Sequence, residues 1–210
     1  APTPEPPAPT PEPPAPTPAP GIMVSTGYEG LAAHSTLSSQ FSGTADDMQI
    51  QLPTLPFAFK FFGADYADNI HVASNTFLTM GYGSTLWSGF SASNPGRGIF
   101  LGARDNSFQK VSCASTTIDG VSAFVVRYSG SARTNLDLDN PIELQITFFE
   151  NQKINVTLGR HAALSLNPAC WISDGTTTYP LSLVENTSYT LTSDVDGANW
   201  IIDCLLYTSP

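Results

Sequence analysis

The sequence predicts an all-β protein: a β-sandwich of jelly-roll or immunoglobulin-like type behind an extended N-terminal tail. Short apolar runs recur along the chain, separated by turns rich in Gly, Asn, Ser and Pro. No segment longer than about ten residues combines a helical 3.6-residue period with capping residues. We therefore assign residues 1–20 to a tail and residues 21–210 to one sandwich domain.

The tail is built from a proline-rich repeat of seven residues. Ala-Pro-Thr-Pro-Glu-Pro-Pro recurs from Ala8 and begins a third, altered copy at Ala15. Because proline fixes φ and lacks an N–H donor, we expect a polyproline II rod of roughly 60 Å, at about 3.1 Å per residue. The rod is a solvated stalk, a segment held by an aromatic groove on a neighbouring copy, or a segment stiffened by a coat of sugars. Its candidate O-glycosylation sites are Thr3, Thr10 and Thr17.

The first part of the domain gives weaker signals. Gly21 to Thr26 is a short apolar run that predicts a strand, paired either within its own domain or with the sheet edge of another copy. The region from Tyr28 to Ser42 is rich in Gly, Ser and Ala and predicts a loop.

An aromatic alternation follows, in which Phe57, Phe59 and Phe61 occupy every second position. A period of two places the three rings on one face of a sheet, and that face needs a second layer to cover it. Two further apolar runs, Ile70 to Ala73 and Thr76 to Met80, predict a hairpin. The Ser74-Asn75 pair between them supplies a residue type that tolerates a positive φ.

The middle of the chain predicts more strands. Gly81 to Gly98 is rich in turn residues, and strands are expected at Ile99 to Leu101, Phe108 to Cys113 and Val121 to Tyr128. The apolar alternation of the last of these is blurred, which is typical of a strand that is buried on both faces.

The clearest hairpin runs from Ile142 to Leu158, with Glu150-Asn151-Gln152 as its loop. The alternation turns Asn155 outward, and Asn155-Val156-Thr157 is an N-glycosylation acceptor triplet. A second triplet begins at Asn186, in a polar turn between two apolar runs. Such triplets also arise by chance, and they are modified only in a host that has the transferase.

The C-terminal third ends in a predicted strand from Asn199 to Leu206 and contains two of the three cysteines. Cys113, Cys170 and Cys204 lie far apart, and none belongs to a pattern suited to zinc. In an extracellular setting three pairings are open. We favour Cys170 with Cys204, because both lie in apolar, strand-like runs.

Composition narrows the class of partner. The chain has 18 acidic and 8 basic residues, a net charge of -10. This charge disfavours binding to nucleic acid and to anionic membranes. No window has the roughly 18 consecutive apolar residues of a membrane span. The absence of a signal peptide and of an initiator Met predicts a processed product.

The sequence predicts no enzyme, no cofactor and no metal site. His34, His71 and His161 are scattered, and no nucleophile elbow or phosphate-binding glycine loop occurs. The best ligand-like cluster runs from Asn135 to Asn140, but it lacks the glycine and the distal Glu of a calcium loop. We interpret it as a polar turn.

Loop aromatics suggest a different class of function. Tyr82, Trp87 and Phe90 lie in the turn-rich segment and are candidates for stacking on sugar rings. The alternative, which we prefer, is that these side chains fill the ends of the sandwich core.

Seven short motifs occur in order between Leu55 and Trp200. They are Phe57-x-Phe-x-Phe-Phe-Gly, Ser74-Asn75-x-Phe-Leu-Thr, Ser91-Ala-Ser-Asn-Pro95, Asp105-Asn-Ser-Phe-Gln109, Val126-Arg-Tyr128, Thr147-Phe-Phe-Glu-Asn151 and Ser173-Asp-Gly-Thr176. The series resembles a β-sandwich module found in structural and appendage proteins of marine tailed phages and in secreted surface-filament proteins. The resemblance implies a non-catalytic building block of a virion surface or an extracellular structure. The cysteines and the Pro-Thr tail depart from the phage pattern and favour a cell-surface or secreted filament.

We therefore expect a structural subunit of an extracellular glycoprotein filament. Its partners would be other copies of itself, joined through the proline-rich tail, and covalently attached glycans. Two alternatives stay open: a carbohydrate-binding or adhesin module carried on a stalk, and a virion appendage protein.

Overall fold

A computed structural model describes residues 38–86, 90, 94–132, 140–166, 168–194 and 197–203. These residues form strands joined by turns, with one short 3-10 helix at Ala162–Leu166 among them. None of the helical segments in this part of the chain has the length and apolar character needed to cross a membrane. The strands are β1 (Ser38–Asp46), β2 (Gln49–Gln51), β3 (Lys60–Phe61), β4 (Ala64–Asp65), β5 (Ile70–Ala73), β6 (Phe77–Met80), β7 (Arg97–Ala103), β8 (Asn106–Ile118), β9 (Val121–Ala132), β10 (Pro141–Phe149), β11 (Lys153–His161), β12 (Ala169–Asp174), β13 (Thr178–Pro180), β14 (Thr187–Ser193) and β15 (Trp200–Asp203).

Two antiparallel sheets pack face to face, which confirms the predicted β-sandwich. The seven-stranded sheet has the order β1-β8-β9-β10-β11-β14-β15, and the six-stranded sheet has the order β13-β12-β7-β6-β5-β2. The chain passes from one sheet to the other between β1 and β2. Strands β3 and β4 form a separate small hairpin.

The inner faces of both sheets form one continuous core. On the predicted hairpin of β10 and β11, Ile146 pairs with Val156 and Phe148 pairs with Ile154, and all four side chains are buried. The hairpin and its loop at residues 150–152 lie where the apolar period places them. Alternation of apolar side chains therefore identified this part of the core correctly.

The aromatic alternation is confirmed in burial but only partly in secondary structure. Phe57, Phe59 and Phe61 are all buried, yet only Phe61 belongs to a strand. The segment closes one side of the sandwich, where Phe59 lies 5.1 Å from Phe148 and Phe61 lies 5.4 Å from Trp200, between ring centroids.

The predicted loop from Tyr28 to Ser42 is wrong at its C-terminal end. Residues 38–42 belong to strand β1, although we expected a loop as far as Ser42. Strand β1 is an edge strand, so it needs few apolar side chains; Phe41 packs inward on Phe108, with ring centroids 5.8 Å apart. Small polar residues therefore conceal a strand whose pairing with β8 is interrupted by bulges.

The β5–β6 hairpin is confirmed, but its positive φ falls at Thr76 (63°) instead of at Ser74 or Asn75. A β-branched residue rarely adopts this conformation. Hydrogen bonds hold the turn in place: Asn75 Oδ1 accepts the backbone N–H of Asn106 at 2.9 Å, and Thr76 Oγ1 accepts Asn106 Nδ2 at 2.7 Å. Tertiary contacts therefore override the local preference of the turn residues.

The six-stranded sheet is also covered on its outer face. Ala73, Phe77 and Phe100 form a second buried apolar cluster on the side away from the main core. Phe90, from the connection between β6 and β7, packs against this cluster, with its ring 5.1 Å from that of Phe77 and 4.8 Å from that of Phe100. The two ends of this connection, Tyr82 and Gly96, belong to the candidate functional site.

Candidate functional site

An open groove of about 510 Å³ lies at the end of the six-stranded sheet where β6 ends, β7 begins and β12 ends. We call it the end groove. Its walls combine phenol rings, a guanidinium group, a carboxylate and amide or hydroxyl groups, which together suit a polar ligand that also offers flat apolar faces. The side chains used in the argument below are Tyr66, Tyr82, Asn94, Arg97, Asp174 and Thr176.

Arg97 is held at the centre of the groove by contacts on several sides. Its Nε donates a hydrogen bond to the backbone carbonyl of Asp174 at 2.7 Å, and a terminal guanidinium nitrogen donates to the hydroxyl of Tyr66. The guanidinium carbon also lies 6.0 Å from the centroid of the Tyr66 ring, within the range of a cation–π contact. The arrangement fixes a positive charge before any ligand arrives.

Asp174 organises the turn that forms the opposite wall. Its Oδ1 accepts hydrogen bonds from the backbone N–H groups of Thr176 and Thr177, both at 2.7 Å, and from the Thr176 hydroxyl at 2.8 Å. Burial alone would raise the pKa of this carboxyl, but these hydrogen bonds and the charge of Arg97 outweigh burial and hold the pKa below its ordinary value. Asp174 is therefore ionised at neutral pH.

Tyr82 presents its ring at the mouth of the groove. The side chain is 37% exposed, and its hydroxyl accepts the backbone N–H of Arg97 at 3.1 Å. Gly96 makes this approach possible, because a Cβ there would lie 2.7 Å from the Tyr82 hydroxyl and 2.4 Å from the Phe90 ring. Burial raises the pKa of Tyr82 despite opposing effects of the Arg97 backbone contact and charge, so the phenol is protonated at neutral pH.

The three predicted loop aromatics have different outcomes. Tyr82 lines the end groove, whereas Phe90 packs on the outer face of the six-stranded sheet and not at an end of the sandwich core. Trp87 lies outside the described residues. Pattern analysis missed Arg97 and Asp174 as site residues. The scarcity of basic residues, and the Asp174-Gly175-Thr176 turn already noted among the motifs, are the signals that point to them.

The two N-glycosylation triplets lie on neighbouring strands. Asn155 is half-buried on β11, and its Oδ1 accepts the Thr190 hydroxyl at 3.1 Å. Asn186 is exposed in the turn before β14. The hydroxyl residues of the triplets, Thr157 and Ser188, pair across the strands with their oxygens 3.1 Å apart. Modification of either asparagine stays a prediction.

The described cysteines, Cys113 and Cys170, form no disulfide with each other. Cys113 is buried and Cys170 half-buried. Burial raises the pKa of Cys113, and it raises the pKa of Cys170 to about 11, although a backbone contact with Gly102 opposes it. Cys204 lies outside the described residues, so its pairing with Cys170 stays a prediction. The same holds for Thr3, Thr10, Thr17 and residues 135–139 of the polar cluster.

The two described histidines have structural contacts away from the groove. His71 Nε2 contacts Asn69 Oδ1 at 2.8 Å, and His161 Nε2 donates to the carbonyl of Leu101 at 2.7 Å. Neither ring lines the end groove. Among the described residues, no three His, Cys, Asp or Glu side chains are grouped as a metal site would require.

No protein-family model matches this chain, and searches of curated proteins and of solved structures find no match either.

Proposed function

We propose that the chain is a structural subunit of an extracellular glycoprotein filament, in which the proline-rich tail of one copy docks in the end groove of the next. The observation that supports this most directly is the groove itself, where the ring of Tyr82 is partly exposed and the guanidinium of Arg97 is held by the buried Tyr66. A polyproline II segment has no internal hydrogen bonds, and aromatic grooves bind it through ring stacking and donors to its carbonyls.

The tail has the chemistry that such a groove accepts. Its prolines provide flat apolar faces at a spacing of three residues per turn, and its charged side chains, Glu5 and Glu12, are opposite in sign to Arg97. A tail of roughly 60 Å also reaches across a neighbouring domain. Affinity would come from ring stacking, because an exposed charge pair contributes only about 0–1 kcal/mol.

Electron microscopy of the full chain beside a version that lacks residues 1–20, at matched concentration, tests the assembly. Filaments from the full chain alone support the proposal, and separate particles from both proteins contradict it.

Titration of a peptide of residues 1–14 into the tail-less protein tests the groove. Tyr82→Ala should weaken this binding by about tenfold or more, because aromatic anchors dominate such contacts. Leu86→Ala is the matched control: Leu86 is 49% exposed on the same loop and is not among the groove-lining residues.

A second candidate function is a carbohydrate-binding module. It is favoured by the side-by-side placement of the Tyr82 ring with Arg97, Asp174 and Asn94, since sugars bind through stacking together with planar polar groups. A glycan array probed with the parent protein and with Tyr82→Ala separates the two functions. Glycan binding that disappears in the variant, with Tm unchanged and no filaments formed by the parent, would make this the leading function.

A further inference from the structure

Part of the outer face of the seven-stranded sheet is as deeply buried as the core. We call this part the covered patch. It lies on β8, β9 and β10 and consists of small and apolar side chains. Its members and their exposed fractions are Ser112 (4%), Ala114 (8%), Ala123 (0%), Val125 (0%), Thr147 (3%) and Phe149 (9%).

The strand register shows that these side chains point away from the second sheet. Phe124 and Val126 belong to the core between the sheets, so Val125, between them, faces outward. Ala114, Val125 and Thr147 are direct cross-strand partners and form one row on this outer face. Strand β9 is therefore buried on both faces, as its blurred alternation predicted.

Shielding by direct cross-strand neighbours does not by itself explain this burial. The row continues onto β11 and β14, where Asn155 and Thr190 are only half-buried although they too have strands on both sides. The immediate cross-strand neighbours of Val125 are Ala and Thr, whose short side chains do not reach over it. On the same strand and the same face, Arg127 is long enough to contact Val125. A further segment of the chain lying on the patch would account for the burial of all six residues.

Among the described strands and the 3-10 helix, none supplies that cover through an extensive contact. Those that pack against β9 and β10 are their neighbours in the sheet and the 3-10 helix. The 3-10 helix also contacts β7 of the other sheet, which places it on the inner side. The undescribed residues 133–139 connect Ala132 to Asn140. Val125 is seven residues before Ala132, roughly 23 Å along the strand, beyond the reach of so short a loop.

We propose that the chain's own residues 21–37, the segment that precedes β1, lie on the covered patch. Strand β1 begins at Ser38, which pairs with Cys113, next to Ala114 of the patch. The segment therefore joins the sheet beside the row that it would cover. Extended, its about 17 residues span roughly 55 Å, and the three strands of the patch occupy only about 10–15 Å of width.

The composition of residues 21–37 suits a position on this patch. The segment contains Ile22, Met23, Val24, Tyr28 and Leu31, and Glu29 is its only carboxylate. Because the patch consists mainly of small side chains, a backbone can approach it closely, and the glycines of the segment favour such an approach. Three of these apolar residues, Ile22, Met23 and Val24, belong to the predicted first strand. This proposal is independent of the proposed filament and of the end groove.

Thiol labelling of Thr147→Cys in the full chain, followed by peptide mass spectrometry, tests whether residues 21–37 lie on the covered patch. We expect slow labelling in this parent. Adding Ile22→Asp and Val24→Asp should increase the labelling rate by about tenfold or more, because charged side chains do not remain packed on an apolar surface. Thr17→Asp with Ala19→Asp adds the same charge within the tail and should leave the rate unchanged.

Other outcomes overturn the proposal. Fast labelling in the parent would show that the patch is open, and an unchanged rate in the Ile22/Val24 variant would show that another segment covers it. If Leu205→Asp with Leu206→Asp raises the rate instead, the C-terminal residues are the cover. Protection that weakens on dilution identifies a second copy as the occupant. Should the double variant lose its circular dichroism spectrum, the milder Val24→Ser is measured in the same way.

Discussion

The outer faces of the two sheets both carry buried residues, but of different kinds. On the six-stranded sheet the ring of Phe90 packs against the rings of Phe77 and Phe100. On the seven-stranded sheet the buried outer residues are small, with Ala123 and Val125 fully buried. Large rings bury one another by interlocking, whereas small side chains become fully buried when longer side chains or another backbone segment pack closely over them. A buried row of Ala, Val and Thr on an outward face therefore predicts such a cover.

Phe100→Ala tests this cluster of rings and should have the largest effect. Phe100 is fully buried, and its ring also lies 5.3 Å from that of Trp171, so truncation leaves a cavity beneath Phe90. We expect the free energy of unfolding to fall by about 3–5 kcal/mol, measured by urea denaturation. A loss below about 1 kcal/mol would mean that the outer cluster contributes little to the fold.

Phe90→Ala tests the loop between β6 and β7 and should have a smaller effect. The Phe90 side chain is half-buried, so we expect a loss of about 2 kcal/mol. Hydrogen exchange should rise in residues 81–86 and remain unchanged in β9, because only the loop loses its anchor. Equal changes in both regions would contradict the separation of the two outer faces.

Val125→Ala tests the covered patch. Two buried carbons are removed, and at about 0.8 kcal/mol each the loss should be about 1.6 kcal/mol. Val184→Ala is the control, because Val184 is 50% exposed, and its truncation should change stability by less than about 0.5 kcal/mol. Equal, small losses at the two sites would show that Val125 has no cover in solution.

The change of stability with pH is the smallest of the expected effects, and it decides at which pH the variants are compared. Burial lowers the pKa of His161, although the contacts with Leu101 and its own backbone and the charge of Glu185 oppose it. As pH falls below about 6.5, the unfolded chain binds a proton that the folded ring does not, so stability decreases until the lowered folded pKa is reached. His161→Gln should flatten the fall in Tm between pH 7.5 and roughly 5.5. The same slope in the variant would assign the pH dependence to other groups.

The sequence predicted those parts of the fold that depend on alternation, such as the β10–β11 hairpin and the double burial of β9. It failed where tertiary contacts decide. The polar residues of β1 form a strand because β8 offers an edge, and Thr76 adopts a positive φ because Asn106 holds its hydroxyl. The end groove joins side chains that are distant along the chain, Tyr66, Arg97 and Asp174. No local pattern brings them together, so sequence analysis found only Tyr82.

The paired glycosylation triplets would set an order of events if their asparagines are modified during biosynthesis. Once β11 and β14 have paired, the amide oxygen of Asn155 is engaged by Thr190, and Thr157 is engaged by Ser188. A transferase acting on Asn155 would therefore have to reach it before the second of these strands has been synthesised and paired. Asn186 is itself exposed in its turn, but Ser188, the hydroxyl residue of its triplet, is engaged by the same bond. Occupancy at both sites would thus report how fast these two strands pair.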